Sequence, residues 1–110
     1  MAELSAQFDL EVALPEALWA CKEAVAGMDW HVASMEPQRL VLTKGLRLSA
    51  DSLASIEVGL AKAGPLATTV ELRGKIPWAF GPWYDSTLRS LMNALQNAIE
   101  VAARRSASQH

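Results

Sequence analysis

Residues 6–28 read AQFDLEVALPEALWACKEAVAGM, and their periodicity changes once, at Leu14-Pro15. Before the change, Phe8, Leu10 and Val12 alternate with Asp9 and Glu11, the period-two pattern of a half-buried strand over Ala6–Ala13. After it, Leu18, Cys21, Val25 and Met28 recur at helical spacing, with Lys22 and Glu23 on other faces. Proline suits the first helical turn, where a missing N–H costs nothing, and Glu16 sits against the positive end of the macrodipole. Gly27 is the expected stop, in the left-handed cap conformation that glycine takes without penalty. A strand therefore runs straight into a helix of about 12 residues.

Downstream the period returns to two. Trp30–Met35 and Arg39–Lys44 flank Glu36-Pro37-Gln38, a proline turn, and read as a hairpin. In its second arm Leu40 and Leu42 point inward while Arg39, Val41 and Thr43 point outward. Gly45–Asp51 is a link in which Leu46 and Leu48 would extend the strand past a bulge. Ala54, Ile56, Val58 and Leu60 alternate with Ser55, Glu57 and Gly59 in the fourth strand. Lys62-Ala63-Gly64-Pro65 turns the chain into the fifth, where Thr68, Val70 and Leu72 alternate with Thr69, Glu71 and Arg73.

The last helix starts near Pro82 and runs to about Ala103, some 33 Å at the standard rise. Tyr84, Leu88, Leu91, Leu95, Ile99 and Ala102 form its apolar stripe, opposite Arg89, Asn93, Gln96, Glu100 and Arg104. Residues 105–110 are expected to form a flexible tail. Between the fifth strand and this helix lies the connector 74–87, which holds Trp78, Phe80, Trp83 and Tyr84. Pro77 and Pro82 stiffen it. Its aromatics either clasp sheet to helix or, if exposed together, grip a partner.

The order is strand, helix, four strands, helix, with no repeat or linker, so residues 1–110 are expected to form one domain. Short turns between successive strands make an antiparallel meander, and one apolar face per strand requires cover on one side. The first helix must carry the chain across the sheet, which puts the first strand beside the fifth. The expected class is α+β: a five-stranded antiparallel curved sheet, spatial order 2-3-4-5-1, with two helices on one face.

Two steps frame this pattern, Gly27-Met28-Asp29-Trp30 after the first helix and Phe80-Gly81-Pro82-Trp83 before the last. With them the chain resembles small α+β domains described as TATA-binding-protein-like or helix-grip, among them short uncharacterised bacterial proteins. The resemblance implies a fold and no activity, because superfolds host unrelated functions.

Composition excludes several classes. With 110 residues and 51% apolar content the chain can bury about 65% of its unfolded surface. Its net charge of -2, with Lys and Arg scattered, gives no footprint for nucleic acid. No apolar run reaches the roughly 20 residues of a membrane span, and the acidic N-terminus lacks a secretory h-region, so a cytoplasmic protein is expected. Cys21 stands alone, which excludes an internal disulfide. His31 is the sole internal histidine, and no Gly-x-Ser-x-Gly elbow surrounds a serine. Gly74-Lys75 lacks the first glycine and the Ser/Thr of a phosphate loop. Neither a metal nor a cofactor is expected, and no catalytic set is found.

The expected function is a non-catalytic binding or protein-interaction module, with a protein partner or a homodimer through the outer sheet face or an edge strand. Its candidate contacts are Trp78, Phe80, Trp83 and Tyr84 of the connector and His31, Arg39 and Arg73 of the outer face. The alternative is a small apolar-ligand binder or cyclase-like enzyme with a cavity between the last helix and the sheet. Met28, Met35 and Met92 stand ready to fill that space, since thioether side chains adapt to irregular gaps.

Overall fold

Alternating strands give a sheet with one oily face, and two amphipathic helices give the means to cover it. The computed structural model of the chain describes residues 2–28, 30–45, 53–76 and 82–108. Its elements are β1 (Ala2–Leu10), α1 (Leu14–Ala26), β2 (His31–Glu36), β3 (Arg39–Gly45), β4 (Leu53–Gly64), β5 (Ala67–Ile76) and α2 (Pro82–Ser108). All neighbouring strands are antiparallel, in the order β1-β5-β4-β3-β2, which is the expected α+β topology.

Register follows side-chain chemistry. Leu10 lies opposite Thr68, Phe8 opposite Val70, and Val58 between Leu72 and Leu40. Leu40, Leu42, Ile56, Val58, Val70 and Leu72 are essentially inaccessible. Each such side chain contributes about 1.5–3 kcal/mol of burial free energy. At the start of β5, the buried Thr68 hydroxyl donates to the Val12 carbonyl at 2.9 Å. That bond ties the β1–α1 corner to the sheet and satisfies a carbonyl cut off from water.

Gly74 sets how the long helix sits. It faces inward on β5 between Leu4 and Ile56. A methyl group placed on it would stand 2.7 Å from Leu88 Cδ1 and 2.8 Å from Met92 Sδ. The missing side chain lets α2 rest directly on the strand. The principal contacts of α2 are with α1, β1 and β5, whereas α1 lies over β4 and β5.

Several boundaries differ from expectation for identifiable reasons. β1 starts at Ala2 because its pairing with β5 continues to Ile76, and it ends at Leu10. Val12 is still buried, but in the bend that follows. Gly27 is not left-handed: it closes α1 at φ -84°, and its N–H donates to the Glu23 carbonyl. β4 and β5 pair out to Gly64–Ala67 across a bulge after Lys62, so the turn is Pro65-Leu66 rather than residues 62–65. α2 continues past Ala103 to Ser108 with Ser106 buried, so residues 105–108 are helix and not tail. Met92 takes the core position expected of Leu91, which is half-buried. On α1 the buried face turns toward Ala17, Ala20 and Ala24, with Leu18 only half-buried, because that helix must lie against α2 as well as the sheet. The link at residues 46–51 lies outside the described residues.

Two substitutions probe these contacts by urea denaturation. Thr68→Val strands the Val12 carbonyl and is expected to cost about 1–2 kcal/mol. Gly74→Val drives a branched side chain into Leu88 and Met92 and is expected to cost about 1–3 kcal/mol. An unchanged midpoint for Gly74→Val would show that α2 does not rest on β5.

Candidate functional site

Along the middle of α2 the inner face is packed. Leu88, Met92, Leu95 and Ile99 fill that space against the sheet. Between the last helix and the sheet the described residues leave a cleft of about 320 Å³ at the end of β1, where Asp9, Leu10, Glu11 and Val12 face Glu100, Ala103 and Arg104, and most of that lining is charged. Apolar room remains at the other end, where neither helix makes its principal contacts with β2 or β3.

A recess of about 250 Å³ opens there, lined by Val25, Met28, Trp30, Val32, Met35 and Leu40. α1 supplies Val25 from its last turn, Met28 follows the helix end, and Trp30 immediately precedes β2. Trp30 is buried. β2 would carry Met35 to the outer face if its alternation were unbroken. A bulge between Val32 and Ser34 shifts the register, so Val32 opposes Leu42 and Met35 opposes Leu40, both on the inner side. Met35 is nonetheless 52% exposed, an inward-facing apolar side chain with no roof. Among the described residues the only ionisable side chain in the lining is Lys22, one turn before the end of α1.

The outer face is different in kind. A polar groove of about 560 Å³ runs over Gln7, Arg39, Gly59, Thr69, Glu71 and Arg73. Arg39 and Arg73 do come together on this face, but each is already engaged. Arg39 Nε lies 2.9 Å from Glu57 Oε1, and its Nη2 donates to Glu57 Oε2 at 3.0 Å. The Arg73 guanidinium donates to Glu71, a bond that raises its pKa above the ordinary value with help from the nearby charge. Thr69 donates to Asp9 at 2.8 Å. Charges paired in place and half in water give a solvated face little grip on a partner. His31 is exposed opposite Thr43, away from this groove. Trp78 and Phe80 lie outside the described residues, as do the side chains of Trp83 and Tyr84.

Among the described residues no three His, Cys, Asp or Glu side chains gather to hold a metal ion, and no helix is long and apolar enough to cross a membrane. In the sequence Val25 and Met28 belong to the stripe of the first helix, Leu40 to the inward face of its strand and Met35 to the expected gap-fillers, and nothing groups them with Val32. The signal that unites them is the bulge, and a bulge without glycine leaves no mark in the sequence.

No family model and no curated protein matches the sequence. Solved structures do share the architecture. The di-domain ARO/CYC protein BexL superposes with a TM-score of 0.72 at 9% identity, covering 94% of this chain and 47% of its own, so this chain spans about half of BexL. A START superfamily protein from Mycobacterium smegmatis gives 0.59 at 9% identity over 94% and 97% of the two chains. The Aha1 dimer from Colwellia psychrerythraea gives 0.63 at 10% identity over 93% and 98%. These likenesses show the helix-grip fold. The TATA-binding-protein half of the sequence resemblance relates to them only loosely.

Cys21 is buried, and loss of hydration pushes its thiol from 9.0 up to about 12. The folded state therefore holds the proton after the unfolded state has released it, so the contribution of Cys21 to stability is full below pH 9 and is lost as pH rises from 9 to about 12. Cys21→Val is expected to lessen that alkaline loss. A thiol reagent near neutral pH should label the protein only after denaturation; labelling of the native protein at the rate of a free thiol would contradict this burial.

Proposed function

We propose that the chain is a non-catalytic binding module that takes a small apolar group into the recess beneath the end of α1. The observation that carries this reading is Met35: the bulge turns it inward, yet half its surface remains bare above an apolar floor. An unfilled apolar site gains free energy at about 25 cal/mol for each Å² that a ligand covers. The volume, about 250 Å³, lies just below the roughly 300–1,000 Å³ of drug-sized sites, which limits the occupant to a small molecule or one end of a larger one.

Binding without chemistry is favoured over a cyclase-like activity because an acid–base reaction needs a proton donor or acceptor within reach of the ligand. The described lining offers Lys22 alone. ARO/CYC and START proteins share this fold, which supports a ligand-holding role to the extent that the architecture can host one. The paired charges of the outer face argue against that face as the main docking surface.

A titration of ¹⁵N-labelled protein with 1-heptanol tests the site. Backbone shifts are expected to cluster at residues 22–35 and at Leu40, and Met35→Asp is expected to weaken binding at least tenfold, about 1.4 kcal/mol. Because Met35 is exposed, that substitution leaves the core intact. Shifts centred on α2 or on the outer sheet face would overturn the reading.

A further inference from the structure

We infer that the recess is built for a monocarboxylate, an apolar tail of about six to eight carbons with its acid group at Lys22. The inference rests on the reading of the recess as a ligand site and adds the ligand's chemistry to it. Tail length follows from volume. Filled at the roughly 0.5–0.6 density of an organic liquid, about 250 Å³ holds a chain of that size.

The head group follows from charge. Lys22 is exposed at the rim, and no acidic side chain among the described residues lines the recess with it. Glu23, next along the helix, lies instead in the groove between α1 and α2 that also contains Arg105. Arg39 and Arg73 of the outer face are bound to Glu57 and Glu71 and stand on the other side of the sheet. Lys22 is the cation that lines the recess a ligand would enter beside Met35.

The helix end limits how much negative charge can be accepted. A helix C-terminus carries about half a negative charge, which opposes an anion, against the full positive charge of an ammonium. Two of the last carbonyls, those of Glu23 and Val25, are already taken by the N–H groups of Gly27 and Met28. What remains suits one negative charge and not two. A phosphate dianion also draws on the forked guanidinium or the helix N-terminus, and neither lines this recess. A carboxylate that a single ammonium can neutralise is the group that fits.

Calorimetric titration with heptanoate, 1-heptanol and heptyl phosphate near neutral pH, on the wild type and on Lys22→Gln, separates the possibilities. Heptanoate is expected to bind three- to tenfold more tightly than heptanol and more tightly than heptyl phosphate. Lys22→Gln is expected to bring heptanoate down to the affinity of heptanol, and salt raised from about 50 to about 500 mM should erode the same preference. Heptanol equal to heptanoate in the wild type, tightest binding by the phosphate, or a carboxylate preference that survives Lys22→Gln, would overturn the inference and leave the apolar site standing. Absence of binding by all three probes would overturn the recess as a ligand site and the inference with it.

Discussion

The seating of α2 on Gly74 governs the rest of the architecture. A strand position without a side chain lets Leu88 and Met92 descend onto β5, which fixes the long helix over that strand and its neighbour β1. From there α2 also buries Leu95 and Ile99, and its flank receives α1. The alanines of α1 at 17, 20 and 24 fit this arrangement, since small side chains let that helix lie against α2 and the sheet together. Two helices drawn to one side of a five-stranded sheet leave the far strands underroofed.

The recess is the consequence. A helix placed over β3 would have covered Met35, and a β2 without its bulge would have turned Met35 to the outer face. Either change removes the site. Only the combination puts a bare thioether over Val32 and Leu40, next to the end of α1. On the opposite side of the sheet, cross-strand and same-strand pairs of Arg and Glu satisfy one another, so the charged face has less to offer a partner than its composition suggests. The contrast within the molecule is therefore between a satisfied polar face and an unsatisfied apolar corner.

The topology was legible because it depends on patterns with few alternatives. Alternation at Ile56, Val58 and Leu60, and again at Thr68, Val70 and Leu72, settled which faces turned inward, and the single helix after β1 forced that strand to the β5 edge. Element ends were less legible, because pairing partners decide them. β1 begins at Ala2 since β5 is long enough to meet it, and β5 outruns Arg73 because Gly74 and Lys75 still find partners on both sides. On α2, Leu91 and Met92 are adjacent and equally apolar, so only the direction of approach to Gly74 decides which one is buried. The site was the least legible part. Arg39, Arg73 and His31 were conspicuous by residue type, whereas Val25, Val32, Met35 and Leu40 are ordinary core residues until the bulge and the helix placement bring them together.

A methyl nuclear Overhauser experiment shows directly whether α2 is held over β5 and leaves the β2–β3 corner unroofed. Strong contacts are expected from the Leu88 and Met92 methyls to the α-protons of Gly74. Contacts are also expected from the Met35 methyl to Leu40 and Val32, and none from Met35 to any residue of α2. Contacts between Met35 and α2, or their absence between Met92 and Gly74, would contradict this seating of α2.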